Sequence, residues 1–399
     1  MSSIVDYFLE RVGKENLYYC YITDESVTES IDKISNIHQF RNIGLFQKMF
    51  NLTFYTLLLK KKSIQEALLY NKDLRKEINR IVERNNIDII VYDTLRIAQM
   101  FENDDTYKNK EFIYLDDLFS VRYQKMIDVL KKYPTVNLNP LGNFYKYVPK
   151  SLRRLVKLRS LTRILLETEK GLIYKREIQS TRNFRHNLLI SSKEVNILKK
   201  RAGCSNIREI RPYIDFNTTY DRNYNGEPIF IFLGLLNIPH NDFSICEFIE
   251  KNIIEIIHQI PNFKLKIIGK NPSERLKKLC MDYGEHIELC GYVENLEQVF
   301  KDACAMLIPL QFGTGVKLKT LEAFSRGLPV ISTSYGVEGI SIDNKHIILE
   351  ENILKYPSHM KNLVDIEVNN KYSLSIYNFY KNEYSKDKIY KMYDEIFHF

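Results

Sequence analysis

The residues best suited to handling a charged ligand lie in QFGTGVKLKTLEAFSRGLP, residues 311–329. Gly313 and Gly315 allow positive φ and let a ligand approach the main chain. Amides just ahead of a helix, joined by the helix's own free N–H groups, form an anion site that a phosphate fits. Lys319 and Glu322 are three apart and share one face of that helix near its start, whereas Lys317 points elsewhere. A cation in the first turn opposes the helix dipole and calls for a compensating anion, which a diphosphate would supply. Glu322, about a turn deeper, has the reach to accept two hydrogen bonds from a pair of ribose hydroxyls. Gly327 ends the helix as a C′ residue. On spacing alone, a glycine turn followed by an intrahelical Lys319–Glu322 pair accounts for the pattern equally well.

The elements that must position these residues show as an alternation of apolar runs. Strands are expected at residues 229–233, 264–268, 287–289, 305–309 and 329–333, with helices at 243–260, 273–283, 296–303 and 317–326. Such a doubly wound α/β domain binds ligands beyond the carboxyl ends of its strands, here after Leu233, Ile268, Leu289, Pro309 and Thr333. The first half predicts strands at 17–22, 87–92, 112–115 and 187–191, with helices at 64–85 and 160–182, again a covered parallel sheet. The polar stretch FNTTYDRNYNGEP, residues 216–228, has the composition of a linker. The expected organisation is therefore a first domain over 1–215, a second over 216–372, and terminal helices over 373–399 packing back toward the first.

A chain of 399 residues suits two cores rather than one. Cys20, Cys204, Cys246, Cys280, Cys290 and Cys304 are scattered with no C-x-x-C pair, which points to free thiols in a reducing compartment. No basic-then-apolar opening and no run of about 18 uncharged apolar residues is present, so a cytoplasmic location is expected. The net charge of +8 is unevenly placed: from Lys146 to Arg163 every charge is basic, with Leu152, Leu155, Val156, Leu158 and Leu161 at helical spacing. That stretch reads either as a solvated helix face or as a patch for an anionic membrane surface. No metal-ligand cluster and no Asp-x-Asp motif stands out, so no metal and no cofactor are expected. No nucleic-acid partner is expected.

Residues 231–340 resemble the donor domain of the glycosyltransferase group 1 family, also called family 4. The match is carried, in order, by FLGLLNIPHN (232–241), PNFKLKIIG (261–269), GYVENL (291–296) and IPLQFGTGVKLKTLEAFSRGLPVISTSYGVEGI (308–340). The resemblance implies the GT-B fold: α/β, two Rossmann-like doubly wound domains facing across a cleft. It implies a metal-independent transfer, with retention of anomeric configuration, from a nucleotide diphosphate sugar to a glycan or lipid-linked acceptor. Such enzymes serve cell-surface polysaccharide synthesis, so a place on the inner face of the membrane is a further expectation.

Carried over residue by residue, the resemblance makes Lys319 and Glu322 the catalytic pair, Lys319 facing the phosphates and Glu322 the donor ribose. Main-chain groups at Tyr292 and Val293 would border the base. Gly313, Thr314, Gly315 and Val316 would hold the diphosphate and sugar, and Gly234, Asn237 and Gly269 complete the nucleotide-sugar set. Many relatives have a glutamate where this chain has Thr314, and Arg and Lys where it has Leu235 and Asn237. These departures shift the phosphate work to the glycine loop and Lys319.

The opening MSSIVDYFLERVGKENLYYCYIT resembles the segment that comes after the family's first strand and glycine-rich loop. The first domain is therefore expected to lack that strand. NIDIIVYDTLRIAQMF, FIYLDDLFSVRY and NLLISSKEVNILKK resemble the acceptor lobe and put Asp93, Asp116, Asp117 and Arg122 at strand ends, as caps and turns or as acceptor contacts. His38 and His186 are read as ordinary surface or hydrogen-bonded histidines. Two rival readings are a non-catalytic partner or scaffold subunit of the same fold and a sugar-nucleotide epimerase.

Overall fold

A computed structural model describes residues 1–23, 33–102, 105–136, 138, 158–216, 220, 222 and 224–399. The chain divides into two compact units. One comprises residues 1–127, 139–213 and 389–399, the other 128–138 and 214–388. The last helix, Lys386–Phe397, thus belongs almost wholly to the first unit, and residues 373–388, expected to return there, stay with the second.

The first unit holds strands β1 (Tyr18–Ile22), β2 (Asn36–Phe40), β3 (Ile90–Asp93), β4 (Glu111–Asp116), β5 (His186–Leu189) and β6 (Ile207–Glu209). They form two parallel sheets, β1-β2 and β3-β4-β5-β6. A cavity of about 980 Å³ is lined by every residue of both β1 and β3, the two strands that end their sheets on this side. Val5, Phe8 and Val12 of helix Ser2–Val12 and Leu74, Ile78 and Val82 of helix Lys72–Arg84 also line it, and Met1 is part of the wall.

The expected helix over 64–85 is two helices, Ile64–Ala67 and Lys72–Arg84. Ser63 and Glu66 form a capping box, and Asn71 caps the second helix by accepting from the Asp73 amide. Periodicity ran through this break because a cap residue between two amphipathic turns need not disturb apolar spacing. Buried Arg176, on helix Arg159–Asn183, ties the unit together, with Nε 2.9 Å from Glu66 Oε1 and Nη2 2.5 Å from Glu102 Oε1. Of the basic stretch from Lys146 to Arg163, residues 146–157 lie outside the described residues.

The second unit carries β7 (Ile229–Leu233), β8 (Lys264–Ile268), β9 (Ile287–Gly291), β10 (Ala305–Ile308), β11 (Val330–Ser332) and β12 (Ile348–Leu349) in one parallel sheet, ordered β12-β11-β10-β7-β8-β9. The central strands read as unbroken apolar runs, IFIFL and AMLI, because helices cover both faces. Phe230, Phe232, Leu265 and Leu307 pack with Phe248, Ile249 and Ile253 of helix Pro239–Gln259 in a single core. The sheet order reverses between β7 and β10, so the loops after those strands open away from each other and leave a crevice there.

Candidate functional site

The glycine loop leaves the wholly buried strand β10 and feeds helix Leu318–Ser325, whose N-cap is Lys317. Gly313 and Gly315 both have positive φ, 149° and 75°, as expected of a loop that turns its amides toward a ligand. Side chains around the loop fix its path. Thr333 donates to the Leu310 carbonyl at 2.6 Å, the Gln311 amide donates to Ser244 Oγ at 3.0 Å, and Thr320 donates to the Gly336 carbonyl at 2.7 Å. Gly327, with φ 65°, closes the helix in the left-handed region.

Lys317 does not simply point elsewhere. Its buried ammonium folds under the loop and donates to the carbonyls of Thr314 at 2.6 Å and Gly315 at 2.8 Å. This engages two of the loop's carbonyls with a cation. Lys319 donates to Asn241 Oδ1 at 3.0 Å and sits 4.7 Å from the ring centre of Phe232. Asn241 is buried in the first turn of helix Pro239–Gln259, and its amide nitrogen donates to the Leu235 carbonyl, so the residue is held from both ends. Burial, with Lys317 nearby, pushes the Lys319 ammonium down to about 7. Among the described residues, no carboxylate lies within ion-pair distance of it.

The Lys319–Glu322 pair that spacing allows is not formed. Glu322 faces Arg326 instead, with Oε1 and Nη2 3.5 Å apart, and burial raises its carboxyl above the usual value, with Arg326 pulling the other way. His240, next to Asn241, approaches Gly313, and burial beside Lys317 and Lys319 drives its imidazole down to about 3. That favours the neutral imidazole near neutral pH. The sequence reading missed Lys317, His240 and Asn241. Their signal was present in NIPHN, where Pro239 opens a helix and puts the two residues after it in the first turn.

Gly234 and Gly269 lie at the carboxyl ends of β7 and β8 and touch. A Cβ on Gly269 would lie 1.9 Å from the Gly234 carbonyl oxygen, and one on Gly234 would lie 2.8 Å from Asn241 Nδ2. The Gly269 amide donates to the Gly291 carbonyl at 2.7 Å. Gly291, φ 68°, then turns the chain so that Tyr292 is 65% exposed, with Lys270 Nζ 3.9 Å from its ring centre. Contacts therefore link Lys319, Asn241, Gly234, Gly269 and Gly291, while Lys317 and His240, next to Asn241 in the chain, lie against the Gly313 loop. Val293 and Val316 are half-buried beside their loops, and Asn237 is exposed in the loop after β7, set apart from the others.

In the first unit Asp116, Asp117 and Arg122 are internally committed, whereas Asp93 is exposed and lines the cavity. Asp117 is buried against Arg122 at 2.6 Å, and Asp116 accepts from Tyr114 at 3.0 Å. His186 stacks on Phe112 with ring centres 4.4 Å apart and is pushed down to about 4 by burial. His38 stacks on Tyr18. Among the described residues, no group of three or more His, Cys, Asp or Glu is placed to hold a metal. The six cysteines are free.

Residues 227–364 match the model of the family Glycosyl transferases group 1. An uncharacterized 44.6 kDa protein in the cps region of Klebsiella pneumoniae is 29% identical over 174 residues, 40% of this chain. The match spans only 43% of that curated relative's length. Among solved structures, a glycosyltransferase from Rickettsia africae ESF-5 has a TM-score of 0.61 at 12% identity, covering 99% of this chain and 93% of its own. Anabaena HepE, in complex with UDP and glucose, has a TM-score of 0.57 at 10% identity over 99% and 94%. WaaG, a glycosyltransferase involved in lipopolysaccharide biosynthesis, has 0.52 at 10% identity over 99% and 95%. At such identities the likeness is one of fold: the chain has the α/β architecture of the GT-B glycosyltransferases, two Rossmann-like domains.

Proposed function

We propose that the group 1 glycosyltransferase segment, residues 227–364, binds a nucleoside diphosphate sugar, and that this protein moves the sugar to a glycan or lipid-linked acceptor with retention of configuration. The observation that carries the reading is Lys319. It is a half-buried cation in the first turn of a helix, held by an amide oxygen rather than a carboxylate, just after a glycine loop. Helix dipole, burial and Lys317 all disfavour its charge, and a diphosphate in front of the loop would offset all three. The complex of Anabaena HepE with UDP and glucose makes a uridine diphosphate donor the first to try.

As the bond from the sugar's anomeric carbon to the diphosphate breaks, negative charge grows on the leaving oxygen. Lys319 and the Gly313 to Val316 amides would receive it, and donors fixed beforehand need no reorganisation when the charge appears. Glu322 accepts from the ribose hydroxyls once Arg326, only 3.5 Å away and weakly paired, yields. The Tyr292 ring and the Val293 main chain border the base, while Gly234, Asn237 and Gly269 form the floor between strand ends. Thr314, where many relatives carry a glutamate, leaves the sugar-facing side of the loop uncharged. No metal or other cofactor is required by this set of donors. The basic stretch from Lys146 to Arg163 is the proposed contact to an anionic membrane carrying the acceptor, in cell-surface polysaccharide synthesis.

The test is thermal stabilisation by UDP, GDP and dTDP for the intact chain, Lys319→Ala and Glu322→Ala. Stabilisation by one nucleotide that both variants lose supports the donor site. No shift with any nucleotide overturns it and leaves the scaffold reading, while product formed from the donor with no acceptor present points to an epimerase.

A further inference from the structure

Helix Leu45–Asn51 and the π-helical turns Leu52–Leu58 that continue it are inside out. Their buried face is polar. Asn51 donates to the carbonyls of Ala67 and Tyr70 at 3.0 Å each, Thr56 is buried near the Ser63 carbonyl, and Lys48 is covered as well. Their solvent face is apolar: Phe46 is 94% exposed and Leu58 69%, with Met49, Phe50 and Leu57 also more than half exposed. Phe50 and Phe54 stack on this outer face, ring centres 5.5 Å apart. A helix that spends its polar residues on the protein and presents its large apolar ones outward gains nothing from water on that side. Contiguous exposed apolar surface of this kind marks a contact site.

The charges around it select the occupant. From Lys33 to Gln65 the chain contains no Asp or Glu, and exposed Arg41 stands just before the helix, exposed Lys60 and Lys61 just after it. A second copy using the same face would set these cations against their own kind, and protein interfaces carry a rim of mixed polarity. Apolar side chains flanked by cations match an anionic bilayer, which takes the side chains among its acyl chains and the cations at its headgroups.

We propose that residues 44–61 are a membrane-docking element that lies in the interface of an anionic bilayer, with Phe46, Phe50 and Leu58 inserted and Arg41, Lys60 and Lys61 on lipid headgroups. The element does not span: among the described residues no helix is long and apolar enough to cross a membrane. The proposal is independent of the donor site, since every residue it uses lies in the first unit.

The chain contains no Trp, so Phe46→Trp introduces a single reporter at a fully exposed position. With vesicles of phosphatidylcholine and phosphatidylglycerol its emission is expected to shift to the blue and to be quenched by brominated acyl chains. In sedimentation with the same vesicles, the double variant Phe46→Asp, Leu58→Asp is expected to bind at least about tenfold more weakly. Lys60→Glu with Lys61→Glu should weaken binding and flatten its salt dependence. All these positions are exposed, and unchanged melting and unchanged nucleotide stabilisation will show that the variants fold and that the donor site is untouched. A reporter whose emission ignores vesicles, equal binding to pure phosphatidylcholine, or a dimer in light scattering that the Asp variant abolishes would each overturn the proposal, the last assigning the face to a second copy.

Discussion

Lys319 and Asn241, 78 residues apart in the chain, meet at 3.0 Å, whereas Glu322, one helical turn from Lys319, faces Arg326. The lysine is thereby fixed by a neutral acceptor, with no carboxylate partner among the described residues offsetting its charge. Replacing it with alanine is expected to weaken UDP binding by about ten- to a hundredfold, as for a charge-assisted hydrogen bond lost from a half-buried site. Asn241→Ala should weaken binding by a smaller factor, because the ammonium remains but loses its anchor. Isothermal titration of the two variants and the double variant reads the coupling directly. A double variant no weaker than Lys319→Ala alone would show that Asn241 acts only through Lys319.

A lysine ammonium held down to about 7 makes donor affinity depend on pH. Only the protonated form attracts the diphosphate, so affinity should fall as pH rises from 7 to 9, a range above the terminal phosphate's own ionisation near 6. Lys319→Arg should retain binding and lose the slope. Titrations at three pH values check this, and an identical slope in the arginine variant would remove Lys319 as its source. His240, neutral throughout this range, contributes no second inflection.

Gly269 is required by space. A methyl group there would overlap the Gly234 carbonyl at 1.9 Å, and since both are main chain at adjoining strand ends, the two loops must part. Gly269→Ala should cost about 2–4 kcal/mol and lower the melting temperature. Gly203→Ala makes the comparison, since that glycine has positive φ with nothing near the added Cβ, and it should cost only about 1 kcal/mol.

The first unit should be more stable in mild acid than at neutrality. Glu169, which accepts from the Ile64 and Gln65 amides, and Glu177, bound to Ser120, are buried and raised to about 7. An acid whose folded value lies above its unfolded one binds more protons when folded. Its contribution is therefore full below about 4.5 and is lost as pH climbs to about 7. Melting followed by probes in the first unit should show stability declining between pH 5 and 7.5, and Glu169→Gln should reduce that decline. Lys319 acts in a different window: its depressed folded value costs stability below about 7, and the cost disappears toward 10.5.

The second unit was largely legible in the sequence because its strands are buried on both faces and bounded by turn residues. β7 and β8 fall where the apolar runs IFIFL and LKII put them, and Gly313, Gly315 and Gly327 have the positive φ that glycine at those points implies. The short edge strands β6 and β12, with three and two residues, left no periodic trace. Neither did helix Leu45–Asn51 as a feature of note, since its apolar residues look like core in sequence and only the fold shows that its polar side is the buried one.

By itself the sequence determined what depends on local chemistry: the alternation of strand and helix, the glycine loop before a helix, and the cations in its first turns. Tertiary structure decided which partner each charge takes. Lys319 and Glu322 have the right spacing to pair, a contribution of a few tenths of a kcal/mol that any buried alternative outweighs. The buried amide of Asn241, delivered by another strand's loop, is such an alternative, and no local pattern reveals it. The same holds for the cavity between β1 and β3, whose walls come from helix Ser2–Val12 and helix Lys72–Arg84 and exist only once both have packed.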